Sequence, residues 1–254
     1  MRNTSIKYLF LFIISAAAII VLITFPAIKQ NDHYHQFADN REVNAIPNCY
    51  NVISNFPFIV FGIFGLALSF KGRVGFSLQY GSFFIGIILT GLGSSYYHVN
   101  PNLNTLVWDR LPMTITFMAF FSIIISDFIH LELGKKLLFH LIFIGLLSVC
   151  YWYYTETLNK GDLRFYILVQ FLPILIIPVI ILLFPNNNKS QFYYWLIILV
   201  YLIAKFFETY DKEILIRSQF ISGHTIKHLF ASFAAFILIL KIKRGNKLMG
   251  EIRL

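Results

Sequence analysis

The sequence predicts an all-α integral membrane protein, with a seven-helix transmembrane core and an additional N-terminal transmembrane helix. The chain is 57% hydrophobic and only 13% charged, with a mean hydropathy of +0.69, which is too apolar for a soluble domain. A helix needs about 20 mostly apolar residues to cross a bilayer. Eight such runs follow one another without an intervening soluble domain: 8–28, 50–70, 76–98, 108–130, 136–154, 164–184, 191–208 and 220–241.

These runs divide the chain into four segments. Residues 1–30 are an N-terminal membrane anchor helix, 31–49 a polar outer loop, 50–241 the seven-transmembrane core and 242–254 a basic cytoplasmic tail. The first run is too long for the apolar core of a signal peptide, and no clear cleavage site follows it. We therefore expect an uncleaved anchor, and its removal would leave the seven-helix core unchanged.

Charges in the loops predict the orientation. Loops on the side of the N-terminus carry twelve Lys and Arg residues, against seven on the opposite side, which places both termini in the cytoplasm. Short loops and the lack of sorting segments favour a bacterial inner membrane, although a eukaryotic endomembrane protein would have the same topology. The net charge of +9 does not indicate nucleic-acid binding, because no basic stripe is interleaved with aromatic residues. Nothing in the sequence indicates a protein partner.

Four ionisable residues lie at the outer ends of the predicted helices. His98 ends the third run, Asp109 begins the fourth, and His224 and His228 begin the eighth. Ionisable groups in a membrane are costly and usually functional. His224 and His228 are four residues apart, so both imidazoles can reach one ion, and Ser94 shares a helix face with His98 for the same reason.

Three histidines without a cysteine are typical of a catalytic zinc site rather than a closed structural one. The chain has only two cysteines, Cys49 and Cys150, which excludes a disulfide framework and a Cys-rich metal site. Each polar residue also has a simpler explanation when it is taken alone. A histidine near a helix end can be interfacial, Asp109 can cap a helix, Ser94 can bond to its own helix, and Lys227 can extend to the membrane interface.

The pattern S-x3-H in one helix, Asp at the start of the next and H-x3-H in the last resembles a superfamily of membrane hydrolases, the alkaline ceramidases and the adiponectin/progestin receptors. The run NVISNFPF at 51–58 is similar to the opening of the first core helix in alkaline ceramidases. The resemblance covers about residues 37–241 and implies a seven-helix core that holds one zinc ion. The implied zinc ligands are His98, His224 and His228, and the implied catalytic pair is Asp109 and Ser94.

The resemblance also implies a calcium site, because alkaline ceramidases bind calcium through an acidic segment before the first core helix. The matching segment here is FADNREVNAIPN. The residues in this segment that would correspond to the calcium ligands are Asp39, Glu42, Asn44 and Asn48. The alternative is a solvated polar loop.

We expect a zinc-dependent, membrane-embedded lipid amide hydrolase that cleaves an N-acyl sphingoid or related lipid to a free fatty acid and an amine. Asp109 would act as the general base, and Ser94 would stabilise the oxyanion. Pro173 and Pro178 would kink their helix and open a cavity for the lipid. One alternative is a lipid-binding, receptor-like protein with non-catalytic zinc. Another is a hydrolase of a different acyl lipid, such as a phospholipid ester.

Overall fold

The structure is a computed structural model that describes residues 2–71, 78–185 and 191–251. Almost all of this part of the chain is helical, and a short 3-10 helix, Asp32–His35, lies in the loop after the first helix. The α-helices are α1 Arg2–Thr24, α2 Cys49–Ile53, α3 Phe56–Lys71, α4 Leu78–Val99, α5 Leu103–Phe128, α6 Leu131–Thr157, α7 Arg164–Leu183, α8 Gln191–Thr209, α9 Asp211–Ser218 and α10 Gly223–Glu251.

Among the residues that the structure describes, seven segments are long and apolar enough to span a membrane, and one of them joins α2 and α3. The remaining predicted run, 76–98, corresponds to α4, although residues 76–77 lie outside the described residues. Helix α4 is less apolar because it is rich in glycine, serine and tyrosine, but eleven of its 22 residues are buried inside the bundle. Because these residues contact protein and not lipid, α4 can be less hydropathic than the other spanning helices. The prediction of an all-α, multi-pass membrane protein is confirmed.

The helices of the core pack largely in chain order. Helices α3, α4, α5 and α6 each contact the next, α7 lies against α5 and α6, and α10 lies against α8 and α3. The N-terminal helix α1 packs mainly on α7 at the edge of the bundle, and its Leu11 joins the hydrophobic core. This arrangement brings the end of α4 and the beginning of α10 to the same end of the bundle.

Two helix boundaries differ from the sequence prediction in ways that affect the site. Helix α5 begins at Leu103 because Asn102 forms a capping box with Thr105, which satisfies backbone groups at the helix start. Asp109 therefore does not cap this helix; it lies six residues inside it, about 9 Å along the axis. Helix α10 continues to Glu251, so most of the predicted tail is helical, and residues 252–254 lie outside the described residues.

Helices α4 and α5 approach each other closely beside the predicted catalytic residues. A Cβ atom at Gly93 would overlap the backbone carbonyl oxygen of Trp108. Pro112 lies four residues after Trp108 and has no N–H to bond to that carbonyl. The contact therefore places Gly93 against a carbonyl oxygen that the helix leaves free, and it brings Ser94 next to Asp109.

A second polar cluster lies at the opposite end of the bundle. The Nζ of Lys241 donates hydrogen bonds to Asp127 at 2.6 Å and to the hydroxyl oxygens of Tyr80 and Tyr194 at 2.7 and 2.5 Å. The Tyr194 hydroxyl donates to Asp127 at 2.6 Å. Because this cluster joins α4, α5, α8 and α10, it ties the core together far from the histidines.

Candidate active site

The structure brings the three predicted histidines together in one buried group. His98 lies at the end of α4, and His224 and His228 lie in the first two turns of α10. One ligand atom from each lies within 4.8 Å of the others, and the ring centroids are 4.8 to 5.0 Å apart. Three converging imidazoles of this kind are able to hold a metal ion.

The distance between two of the ring nitrogens fits zinc. The Nε2 atoms of His98 and His224 are 3.3 Å apart. Zinc–nitrogen bonds of about 2.0–2.1 Å in a tetrahedral site put neighbouring ligands about 3.3–3.4 Å apart. The Nδ1 atom of His98 has no hydrogen-bond partner among the described residues. Three imidazoles and no thiolate also suit a catalytic site with one open position.

Ser54 orients the third histidine. The Ser54 hydroxyl donates to the backbone oxygen of Asn51 at 3.1 Å and lies 2.8 Å from the Nδ1 of His228. With the hydroxyl proton directed to Asn51, the serine oxygen can accept from the Nδ1–H of His228, in the tautomer that carries its proton on Nδ1. That tautomer leaves Nε2 free for a metal, and such hydrogen bonds fix the ring orientation of ligating histidines.

The loop before α2 covers the histidines and is tied to α10. The Phe37 ring lies 4.5 Å from His98 and 4.8 Å from His224, measured between ring centroids. Asp211 accepts a hydrogen bond from the backbone N–H of His224 at 2.7 Å and another from Ala38 at 3.2 Å. One carboxylate therefore positions both the start of α10 and the covering loop.

Asp109 and Ser94 face the histidines across a cavity of about 240 Å³ that His228 also lines. Ser94 precedes His98 by one helical turn, and it lines the cavity together with Asp109. The five residues predicted from the sequence thus meet at one place. A carboxylate and a hydroxyl beside three imidazoles can exchange protons with a bound substrate.

A second cavity, of about 160 Å³, adjoins the first. The two share five lining residues, among them Phe58, Thr90 and Met113. The second cavity is apolar and aromatic, and Pro173 of α7 lines it. A kink of α7 at Pro173 and Pro178 stays a prediction. A polar chamber that continues into an apolar one matches a molecule with a head group and an acyl chain.

Three charged residues near the histidines were not predicted as part of the site. The Nζ of Lys227 lies 3.2 Å from the Nε2 of His224 and 3.0 Å from Glu208, and Lys205 lies 2.5 Å from the same carboxylate. Lys227 therefore points into the bundle and does not extend to the membrane interface. The i, i+3 spacing of Lys205 and Glu208 was the signal in the sequence, because two ionisable residues on one face of a membrane helix are rarely structural.

The segment compared with a calcium site is held by an arginine. Arg41 donates to both Asp39 carboxylate oxygens, at 2.8 and 2.6 Å, and to the backbone oxygen of Phe220 at 2.7 Å. Burial opposes ionisation of Asp39, but the hydrogen bonds and charge of Arg41 outweigh it and lower the pKa of the carboxyl. Glu42 and Asn44 are exposed.

The side chain of Asn48 contacts the helix of His98 and not the Arg41–Asp39 ion pair. Its side-chain amide donates to the backbone oxygen of His98 at 2.9 Å. Asn48 has a positive φ of 48°, a conformation in which asparagine is enriched. Calcium binding by Asp39, Glu42, Asn44 and Asn48 stays a prediction.

The comparisons with known proteins agree with this geometry. A family model described as Ceramidase matches residues 41–246, which is more than half of the chain and includes all five of the clustered residues. No curated protein matches the chain. The chain belongs to the Ceramidase family.

Proposed function

We propose that this protein is a zinc-dependent lipid amide hydrolase of the ceramidase type, which cleaves an N-acyl sphingoid or related lipid to a fatty acid and an amine. The observation that carries the proposal is the meeting of three buried histidines with Asp109 and Ser94 at a cavity that continues into an apolar one. Membership of the Ceramidase family supports the same reaction class.

His98, His224 and His228 would hold the metal. When bound, a zinc ion supplies Lewis acidity that acidifies water and polarises a carbonyl group. Asp109 accepts a proton from the attacking water as the water oxygen bonds to the amide carbon. The carbon–nitrogen bond then breaks, and Asp109 returns the proton to the leaving nitrogen, so that the products are a carboxylic acid and an amine.

Ser94 serves the same reaction through its hydroxyl. Ser94 lines the same cavity as Asp109, and its hydroxyl would donate to the carboxylate and hold it in position. It also faces the cavity, where it can donate to the oxygen of the amide carbonyl as negative charge develops there. A single donor of this type is worth about 2.7–4 kcal/mol of transition-state stabilisation in enzymes where it has been removed.

The apolar cavity would hold the acyl chain. Its walls include Phe83, Phe117 and Phe120, and burial of each methylene in such walls contributes about 0.8 kcal/mol. The positive-inside pattern supports an orientation with both termini in the cytoplasm and the histidines near the outer face. The substrate would then reach the site from the outer half of the bilayer.

The proposal is tested by metal content and turnover in purified protein. Elemental mass spectrometry should find about one zinc per chain in wild type and little in His224→Ala, whereas the exposed His140→Ala serves as the matched control and should keep its zinc. Asp109→Asn should keep zinc but lose at least about 100-fold in hydrolysis of lipid amides, the lower end of a general base's contribution.

Each outcome separates this proposal from its rivals. Folded wild type without zinc, or full activity in Asp109→Asn, would contradict the mechanism. Zinc binding without turnover of any acyl lipid would favour a lipid-binding, receptor-like protein. Cleavage of phospholipid esters in preference to amides would keep the hydrolase and change the bond.

A further inference from the structure

Arg110 is a buried cation that lines the active-site cavity. Its side chain is packed among aromatic rings, with the guanidinium carbon 4.1 Å from Trp152, 4.8 Å from Tyr166 and 5.3 Å from Tyr34, measured to the ring centroids. One of its terminal nitrogens, Nη2, donates to Gln30 at 2.7 Å. The other, Nη1, is buried and has no hydrogen-bond partner among the described residues.

This leaves the guanidinium incompletely compensated. None of the ion pairs formed by the described residues includes Arg110. Aromatic faces attract a cation, but they do not replace the hydrogen bond that a buried N–H requires, and a buried charge is costly unless it is paired. The free Nη1 donor therefore indicates that an acceptor arrives with the ligand.

Two lysines on the same cavity share a single carboxylate. Glu208 accepts from Lys205 through one oxygen, at 2.5 Å, and from Lys227 through the other, at 3.0 Å. The described lining of the cavity thus contains three cations, Arg110 among them, but only two carboxylates, Glu208 and Asp109. The chamber carries an excess of positive charge around the place where a head group would lie.

We infer that the lipid amide taken by this site carries an anionic group on the amine side of its amide bond: a carboxylate, a sulfonate or a phosphate. The inference rests on the proposed function and names its substrate class. The apolar cavity receives the acyl chain, and the amide lies between the histidines and Asp109. The head group then lies in the charged chamber, where Arg110 completes its hydrogen bonding and the lysines balance the negative charge. Arginine suits this task because its planar fork matches oxyanions.

Matched lipids test the inference. N-palmitoylglycine and N-palmitoyltaurine share their acyl chain and amide bond with N-palmitoylethanolamine and differ from it by an anionic end group. Ceramide 1-phosphate and ceramide form a second pair, in which phosphate is the anion. We expect wild type to hydrolyse at least one anionic lipid with a kcat/KM at least tenfold higher than its neutral counterpart.

Variants locate the preference. Arg110→Gln should lose at least tenfold in kcat/KM on the preferred anionic lipid and less than threefold on the neutral one, mainly through KM. Arg110→Lys should retain part of the preference. Arg217→Gln removes an exposed arginine at the same end of the bundle and should leave the preference unchanged. If Arg110→Gln does not fold, the wild-type comparison of matched lipids still decides.

The possible results distinguish this inference from the proposed function. Equal turnover of anionic and neutral amides, or a preference for neutral ones, would overturn the inference while leaving the hydrolase intact. If no amide is cleaved, the proposed function fails, and thermal stabilisation of the purified protein by N-palmitoylglycine and N-palmitoylethanolamine becomes the readout. The anion site would be supported if the anionic lipid stabilises wild type more than the neutral lipid does and if this difference disappears in Arg110→Gln. Equal stabilisation of wild type by the two lipids would overturn it.

Discussion

Ser54 offers a sharp test of how the proposed metal centre is built, because it contacts a histidine and is not among the described residues that line the two adjoining cavities. Its oxygen lies 2.8 Å from the Nδ1 of His228 and is buried. Replacement by alanine removes the acceptor that selects the Nδ1–H tautomer. The imidazole is then free to rotate and to place its proton on Nε2, where a proton excludes a metal.

The expected size follows from this single hydrogen bond. Removing the partner that orients a ligating histidine weakens metal binding by about 10- to 100-fold, which corresponds to about 1.4–2.8 kcal/mol. Ser54→Ala should therefore raise the zinc Kd by that factor. A competition titration of zinc between the detergent-purified protein and a chromophoric chelator measures this directly.

The control is another buried serine, whose hydroxyl makes a local bond within its own helix. Ser232 lies one turn after His228 on α10, and its hydroxyl donates to the backbone oxygen of Leu229 at 2.8 Å. Ser232→Ala should bind zinc as wild type does. An unchanged zinc Kd in Ser54→Ala, or equal losses in both variants, would refute the assignment of Ser54 as the residue that orients His228.

Three further predictions concern stability. Gly93→Ala should destabilise the protein by about 1–3 kcal/mol and lower its zinc occupancy, because the added Cβ forces α4 away from α5. Thermal unfolding measures the loss of stability, and elemental analysis measures the loss of zinc. A variant with the melting temperature of wild type would contradict the close contact. Arg41 lowers the pKa of Asp39. The stability that this pair contributes is therefore fully present above the free aspartate pKa of about 3.9, and it is lost as the pH falls through the lower pKa of the folded state. The difference in melting temperature between wild type and Asp39→Asn, measured against pH, should shrink only in that acidic range. Asp127→Asn should lower the free energy of unfolding by about 3 kcal/mol, because it leaves the charge of Lys241 buried without its counter-ion. The additional change Lys241→Met should restore part of that stability. A double variant that recovers none of it would count against the ion pair.

The amino-acid sequence by itself determined the fold class and which three histidines come together. Every backbone polar group in a bilayer must be hydrogen-bonded, which only helices and closed β-barrels achieve. Eight continuous apolar runs of about 20 residues have the length of spanning helices and not of strands. Counting the spans then puts His98, His224 and His228 at one end, since successive helices alternate in direction. The i, i+4 spacing of the last two was enough to predict that they share one helix face.

Helix ends were predicted less well, because hydropathy reports compatibility with lipid and not the capping of a helix. The start of α5 depends on Asn102, a polar residue outside the apolar run, and this moved Asp109 from a helix end to a position inside the helix. Helix α4 was predicted as the run 76–98, but its burial against α3 and α5 was not visible in its composition.

Only the tertiary structure decided how each helix is rotated about its axis, and therefore which polar side chains reach the cavity. A helix that is apolar on most of its surface gives little indication of which face meets protein and which meets lipid. Lys227 points to Glu208 and His224, Arg110 lies among aromatic rings from three segments, and Ser54 meets His228 across 174 residues of chain. These contacts depend on packing between distant segments, because close-packed side chains, and not local periodicity, select one rotation for each helix.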